Sequence, residues 1–172
     1  LPVLNLGLEA YDGWVGVVVY PGDFVIPRQT MDQDGVIHEY DDVVLGEAWD
    51  GGPVILSWFD DPEDAWGVNV VIHEFAHKLD MRNGVADGFP PLHAGMSREA
   101  WRAAFASAFA DFGRRVDSGE ETELDPYAAE SPGEFFAVTS EAFFEAPDLV
   151  RAEYAAVYAQ LALFYRQDPA AA

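Results

Sequence analysis

Two histidines four residues apart form the most specific chemical feature of the sequence. His73, Glu74 and His77 belong to an HExxH pentad. In a helix with 3.6 residues per turn, positions i and i+4 lie on one face, so both imidazoles can bind a single metal ion. Glu74 lies beside that face, where it can accept a proton from an activated water without being a ligand, as the general base of a metallopeptidase does. The pentad therefore predicts half of a zinc hydrolase site.

The residues around the pentad favour a buried helix. An apolar run from Val68 to Ile72 precedes it, Leu79 and Met81 follow, and Asn83-Gly84 predicts the C-terminal end. Two buried histidines without a partner would be energetically costly, and a metal ion is the simplest partner for both. The alternative is a helical core whose histidines are satisfied by backbone groups or carboxylates and bind no metal.

A catalytic zinc site usually has three protein ligands, so a third ligand must come from outside the pentad. The metzincin continuation HExxHxxGxxH is excluded, because Asp80 and Asn83 stand where that motif has glycine and histidine. Asp80 lies about 10 Å along the helix axis from His73. That separation favours a role in supporting a ligand or capping the helix. His93, in a loop rich in proline and glycine, is another candidate ligand.

A second predicted helix, from Ser131 to about Glu145, offers two carboxylates on one face, Glu134 and Glu141. Either would complete a His2Glu site of the thermolysin type. Glu134 also fits an S-x-x-E capping box with Ser131, in which it would serve only the start of its own helix. Glu141 lies among phenylalanines, and a buried carboxylate needs a cation or hydrogen-bond donors. The chemistry of the residues leaves the choice between them open.

The elements that must position these side chains are strands in the first third of the chain and helices afterwards. The pattern predicts strands at Trp14–Tyr20, Phe24–Ile26, Val43–Leu45 and Val54–Trp58. Pro27 is predicted to end the second, and Asp50–Pro53 to form the turn that joins the last two as a pair. Strands before helices indicate an α+β fold with a small N-terminal β-sheet, not an alternating parallel sheet.

Helix signals in the second half of the chain are local and clear. Ser97 is a predicted N-cap that opens a helix to about Val116, and Ser131-Pro132 opens the helix to about Glu145. A single last helix is predicted after Pro147. We expect one domain over residues 1–172, with 1–66 mainly strands and 67–172 mainly helices. A further N-terminal segment is also expected, because the chain starts with Leu1 and not with Met.

The composition argues against several classes of protein. The chain has no cysteine, which excludes thiolate zinc sites, disulfide scaffolds and cysteine nucleophiles. The formal charge of −22 argues against nucleic acid and anionic membranes as partners, because phosphate binding needs clustered Lys and Arg. No stretch approaches the ~20 apolar residues of a membrane span, and no signal peptide opens the chain. We therefore expect a cytoplasmic protein.

Several longer motifs resemble one family. The segment His73–Gly84, with Gly88–Leu92 after it, resembles the Mlc titration factor A family of zinc peptidases. Asp125–Ala129, Ser140–Glu145 and Phe164–Pro169 are similar as well, so the resemblance covers essentially the whole chain. It implies a zincin-like domain of the gluzincin group, similar to the catalytic domain of anthrax lethal factor. One Zn²⁺ ion would be bound by His73, His77 and Glu134, with Glu74 as general base and Tyr127 supporting the transition state.

The resemblance also implies an activity and a partner. It implies aminopeptidase-like hydrolysis of a peptide or protein substrate, and contact with a glucose-responsive transcriptional repressor. The alternative is a zinc-containing binding module that sequesters such a regulator without cleaving it. Glu74 favours catalysis, because a structural zinc site needs no base. Without the resemblance, Tyr127 is equally well explained as a packed aromatic residue.

Overall fold

In the described part of the chain, five short strands precede five α-helices. The computed structural model describes residues 1–13, 15–22, 24–31, 35–58 and 69–171. The strands are β1 (Val17–Tyr20), β2 (Phe24–Met31), β3 (Ile37–Val44), β4 (Gly46–Ala48) and β5 (Val54–Ser57). The helices are α1 (Val70–Asp80), α2 (Arg98–Asp117), α3 (Pro132–Glu145), α4 (Pro147–Glu153) and α5 (Ala155–Tyr165). This order is the predicted α+β fold.

The strands form two separate sheets. β1, β5 and β4 lie in that order, with β1 parallel and β4 antiparallel to β5. The predicted turn at Asp50–Pro53 is confirmed, but the strand that it joins to β5 is β4. The prediction of Val43–Leu45 as that partner is wrong, because Val43 and Val44 end β3 and pair with Val25 and Phe24.

The second sheet is a hairpin of β2 and β3, and its first strand is longer than predicted. β2 does not end at Pro27, which pairs with Asp41 of β3. A proline is tolerated there because each strand of a two-stranded sheet has one open edge, where the missing N–H removes no bond. β1 begins at Val17 and is therefore shorter than the predicted strand Trp14–Tyr20. Trp14 itself lies outside the described residues. The predicted change from strands to helices near residue 66 also lies outside them.

Helix α1, which carries the pentad, begins later than predicted. Asn69 is its N-cap, with a side-chain oxygen that accepts a hydrogen bond of 3.1 Å from the backbone N–H of Ile72. The helix therefore begins at Val70, and Val68 lies outside the described residues. A 3-10 turn follows α1, and Gly84 then adopts a φ of 127°, a value that favours glycine. The predicted stop at Asn83-Gly84 is confirmed.

The predicted starts of α2 and α3 are confirmed by their caps. The Ser97 hydroxyl accepts a hydrogen bond from Ala100 N–H, and the Ser131 hydroxyl accepts one from Glu134 N–H, each at 3.1 Å. Pro132 occupies the first turn of α3, where a missing N–H removes no helical bond. The starts of both helices are therefore determined by local sequence.

The prediction of a single last helix is wrong, because the helix is interrupted at Tyr154. This residue has φ −133° and ψ 62°, and it separates α4 from α5. Its ring packs edge-on against Phe135, and its hydroxyl accepts a hydrogen bond from Arg115 and donates one to Asp111. These partners are distant in sequence, so the local pattern contains no sign of the break.

An aromatic core joins α2, α3 and α5. Trp101 of α2 is fully buried and stacks on Phe105 at 4.4 Å between ring centroids. It also contacts Phe136 of α3 and Phe164 of α5 at 5.9 and 5.5 Å. α3 packs in turn against α1, so this core holds the two helices that carry the candidate ligands side by side. In the described part of the chain, no helix has the length and apolar character needed to cross a membrane.

Candidate metal centre

Three of the predicted ligands converge on one point between α1 and α3. His73 Nε2 lies 3.2 Å from His77 Nε2 and 3.1 Å from Glu134 Oε2. His77 Nε2 lies 3.2 Å from the same carboxylate oxygen. Among the described residues, these three side chains form the group that could hold a metal ion. The two histidines are buried, and the Glu134 side chain is 21% exposed, so the point is open on one side.

The size and chemistry of this triangle fit zinc. Ligand atoms about 2.0–2.1 Å from a tetrahedral Zn²⁺ lie about 3.3 Å from one another. The three observed separations are 3.1 to 3.2 Å. Two imidazole nitrogens and one carboxylate oxygen are also the donor set of His2Glu catalytic zinc sites. The residues present therefore fit such an ion, with one side of the site open.

Glu134 serves the histidines and not its own helix start. Ser131 does accept the backbone hydrogen bond that a capping box requires. The Glu134 carboxylate, however, faces the two imidazoles of α1. The S-x-x-E pattern thus describes the helix start correctly and leaves the carboxylate available as a ligand.

Glu141 lies on the other side of His73. Its Oε2 is 3.7 Å from His73 Nδ1, the ring nitrogen that faces away from the triangle. Its Oε1 accepts a hydrogen bond of 2.5 Å from the backbone N–H of Asn69, the N-cap of α1. Glu141 therefore joins α3 to the start of α1 and supports His73, and it lies outside the group of three ligand atoms.

Asp80 is fully buried near the other end of α1. Its Oδ2 accepts a hydrogen bond of 2.7 Å from Gly88 N–H, and its second oxygen has no hydrogen-bond partner in the described part of the chain. The Nδ1 atom of His77, three residues earlier, is likewise buried without a partner among those residues. Residues three apart are neighbours on a helix. His77 is near enough to act on the pKa of Asp80, which it lowers, but no hydrogen bond joins the two side chains.

Glu74 is buried beside the ligands and lines the same cleft as His73. Burial raises its pKa to about 7, although the nearby His73 and His77 act to lower it. A pKa near the working pH is suitable for a general base. Glu74 also contacts Gly46 of β4, where an added Cβ would lie 2.6 Å from its Oε1 and 2.6 Å from Val70.

Gly46 is the site residue that the sequence analysis missed. A lone glycine within a strand-like run indicates close approach of another group, and that signal was available in the sequence. Here the approaching groups are Glu74 and Val70 of α1. The absence of a side chain at Gly46 lets β4 lie directly against the helix that carries the pentad.

Tyr127 lies on the rim of the cleft. It belongs to a 3-10 turn at Pro126–Ala129, which the Asp125 side chain caps by accepting a hydrogen bond from Tyr127 N–H. Its ring centroid is 6.1 Å from that of His73, and the side chain is about half exposed. The cleft has a volume of about 390 Å³ and is lined by His73, Glu74, Tyr127 and the edge of β4, together with apolar residues of α1 and α3.

The electrostatics of the triangle favour a positive charge. Burial acts to lower the pKa of His73, but Glu134 and Glu141 raise it to about 9. Burial acts to raise the pKa of Glu134, but hydrogen bonds with His73 and His77 lower it to about 2. The carboxylates thus stabilise a cation between the imidazoles, which either a proton or a metal ion can supply.

His93 is not part of this centre. Its Nε2 lies 2.7 Å from the carbonyl oxygen of Phe164, and its Nδ1 contacts Arg166. The ring also stacks on Phe164, so His93 holds the loop before α2 against α5.

The α+β fold, with two histidines on α1 and a glutamate on α3, has the arrangement that is typical of the metallopeptidase class. The chain belongs to the glucose-regulated metallo-peptidase M90 family, whose model matches residues 1–166. It is 42% identical over 176 residues to Mlc titration factor A of Yersinia pestis (strain Pestoides F) and to that of Yersinia pseudotuberculosis serotype O:1b. These matches cover 99% of the chain and 65% of each relative, so the chain spans just under two thirds of their length.

Proposed function

We propose that this protein is a zinc-dependent peptidase. The observation that carries the proposal is the triangle of His73, His77 and Glu134, with edges close to those of a tetrahedral zinc site, and with Glu74 in the same cleft. The match to a metallo-peptidase family supports the same class of reaction. Glu74 is the feature that favours catalysis over structural zinc, because it is a buried carboxylate that the metal does not need.

The chemistry is divided between the ion and the protein. When bound, zinc would supply Lewis-acid activation of water and of the scissile carbonyl. Glu74 accepts the proton of the attacking water and passes it to the amine that leaves, so that it acts first as base and then as acid. Its raised pKa allows both directions of transfer near neutral pH.

Tyr127 is proposed to stabilise the negative charge that develops on the carbonyl oxygen. A neutral phenol can donate a hydrogen bond to an oxyanion, and Tyr127 lines the cleft next to His73.

Two buried carboxylates are proposed to orient the histidines. Glu141 lies 3.7 Å from His73 Nδ1. Asp80 lies one helical turn after His77, and one oxygen of Asp80 and the Nδ1 atom of His77 are both buried without a partner among the described residues. A carboxylate that accepts the Nδ1–H of a metal-binding imidazole fixes the tautomer and makes Nε2 a better donor to the metal. Each histidine would then bind the ion through Nε2.

The walls of the cleft suggest how a peptide would be held. Glu123, Asp125 and Glu145 line it together with apolar residues. We propose aminopeptidase-like activity, in which these carboxylates attract a free N-terminal amine while an apolar side chain enters the cleft. The relatives carry the name Mlc titration factor A. We accordingly propose that the chain also binds a transcriptional repressor of the Mlc kind, with or without cleaving it.

Cleavage of a peptide library by the purified chain, with and without a zinc chelator, tests the peptidase function. We expect cleavage that disappears with the chelator and returns with added Zn²⁺. Products shortened by one N-terminal residue would indicate an aminopeptidase, and internal cuts an endopeptidase. Zinc binding with no cleavage of any peptide would contradict the peptidase and leave the binding module as the function.

A further inference from the structure

A second groove lies between the loop that follows α1 and the first half of α2. It has a volume of about 380 Å³, and its lining includes Asn83, Phe89, Arg98, Arg102 and Phe109. No residue that lines it also lines the cleft of the metal centre. Any ligand of this groove would therefore be bound apart from the proposed substrate site.

Two arginines of this groove have no carboxylate partner in the described part of the chain. Arg98 and Arg102 are exposed, and neither forms an ion pair or hydrogen bond with another described residue. The chain has 31 acidic and only 9 basic residues, so partners are abundant. Three other arginines of the helical part, Arg114, Arg115 and Arg151, each bond to a carboxylate.

The two guanidinium groups are instead held over one aromatic ring. The guanidinium carbon of Arg98 lies 4.5 Å from the ring centroid of Phe89, and that of Arg102 lies 5.5 Å from it. A guanidinium that stacks on an aromatic face keeps its N–H donors free at its edge. The two residues are four apart on α2, about 6 Å along the axis, so they can bind two acceptor groups of one ligand.

The floor between these arginines is apolar. Phe89 and Phe109 are half-buried, and the buried Trp101 and Phe105 lie beneath them. The carboxylate of Asp87 also lines the groove, and its Oδ1 accepts a hydrogen bond from Phe89 N–H. Glu99 is exposed in the first turn of α2. The groove thus combines two cationic donors with an aromatic surface.

We propose that this groove binds an acidic peptide segment of a partner protein. Two carboxylates of the segment pair with Arg98 and Arg102, and an apolar side chain between them packs on Phe89. Both arginines are exposed, so the groove is too open to enclose a small ligand, whereas an extended chain can follow α2. A nucleic acid carries a charge at every phosphate and needs a longer row of cations than these two arginines provide, whereas two carboxylates of a peptide match them. The site goes beyond the proposed peptidase function and does not depend on the metal.

Fluorescence anisotropy with labelled peptides tests the proposal. The probe is a seven-residue peptide with a central phenylalanine flanked by glutamates. The control peptide has glutamine in place of each glutamate. Measurement in the presence of a chelator prevents cleavage. We expect the acidic peptide to bind about tenfold or more tightly than the glutamine peptide. Replacing both arginines (R98Q and R102Q) should lower the affinity for the acidic peptide by about tenfold or more. Hydrolysis by the zinc-loaded protein should stay unchanged.

The matched control removes two arginines that already have partners, R114Q and R151Q, which changes the net charge by the same amount. This variant should bind the acidic peptide within about twofold of the wild type. Equal loss in both double variants would overturn the proposal, because the attraction would then be general. Equal binding of the two peptides, or no binding at about 1 mM, would overturn it as well. If free phenylacetate displaces the acidic peptide at concentrations similar to those of the peptide, the groove is a small-molecule site and the peptide proposal is overturned.

Discussion

At the residue scale, the two nitrogens of each imidazole have different surroundings. The Nε2 atoms of His73 and His77 converge with Glu134, whereas their Nδ1 atoms face away from that point. The residue pattern alone predicted the two histidines but left the choice between Glu134 and Glu141 open, because both lie on one face of α3. The family resemblance implied Glu134. The structure separates them, since they lie at opposite nitrogens of His73.

Replacing Glu74 with glutamine separates binding of the metal from catalysis. The amide is nearly the same size as the carboxylate but cannot accept the proton, so kcat should fall by about 10²–10⁴-fold. Zinc content, measured by atomic absorption, should remain at the wild-type level. The control is Glu120→Gln on the surface, which removes the same charge and should change neither quantity. Wild-type hydrolysis by the Glu74 variant would contradict the mechanism.

Replacing each carboxylate of α3 distinguishes a ligand from a supporting group. Glu134→Ala removes a proposed ligand, so zinc affinity should fall further than in Glu141→Ala. The zinc affinity of Glu141→Ala should fall by about 10–100-fold, as expected when a group that orients a ligand is removed. Competition with a chromophoric chelator measures both values. Glu141→Gln serves as control for folding, because it can still accept the hydrogen bond from Asn69 N–H. The reverse order of affinities would make Glu141 the ligand.

At the scale of elements, the sequence predicted what is determined locally. The starts of α2 and α3 depend on serine caps a few residues away, and the end of α1 depends on one glycine. Strand partners depend on distant pairing, so the partner of β5 was assigned three residues too early in the chain. The break at Tyr154 likewise arises from contacts with α2 and α3, which no local pattern reveals.

The contact between β4 and α1 is a packing requirement that can be tested at Gly46. A methyl group there would lie 2.6 Å from both Glu74 Oε1 and Val70 Cγ2, so the strand or the base must move. We expect Gly46→Ala to lower kcat by about tenfold or more, because small displacements of a catalytic group are costly. Zinc affinity should change little, since no ligand contacts Gly46 directly.

The control for this substitution is Gly95→Ala in the loop before α2. An added Cβ at Gly95 meets no atom within 4 Å, so activity and stability should stay at wild-type values. Steady-state kinetics and thermal unfolding of the three proteins supply the comparison. Full activity in Gly46→Ala would show that β4 can move without displacing Glu74.

At the scale of the whole molecule, the candidate metal centre carries a group of buried charges whose titration is linked to folding. The folded-state pKa of His73 is raised to about 9, so its contribution to stability is complete below about 6.5 and is lost as pH rises through 9. Glu74 and Asp80 have pKa values raised to about 7 and about 6, so they also make the folded state less stable as the pH rises. Glu134 has a lowered pKa, and its contribution is lost only as pH falls from about 4.5 towards 2.

The metal-free protein should therefore be less stable at about pH 9 than at about pH 6, by a few kcal/mol in the free energy of unfolding. Ordinary carboxylates are fully ionised across this interval, so general repulsion within the acidic chain changes little. Urea unfolding of the chelator-treated protein at the two pH values measures the difference. Saturating Zn²⁺ should remove or reverse it, because the ion binds the neutral imidazoles and replaces the proton on His73. His73→Gln should flatten the dependence in the metal-free protein. An equal or greater stability at the higher pH would show that the carboxylates do not hold a cation at this point of the fold.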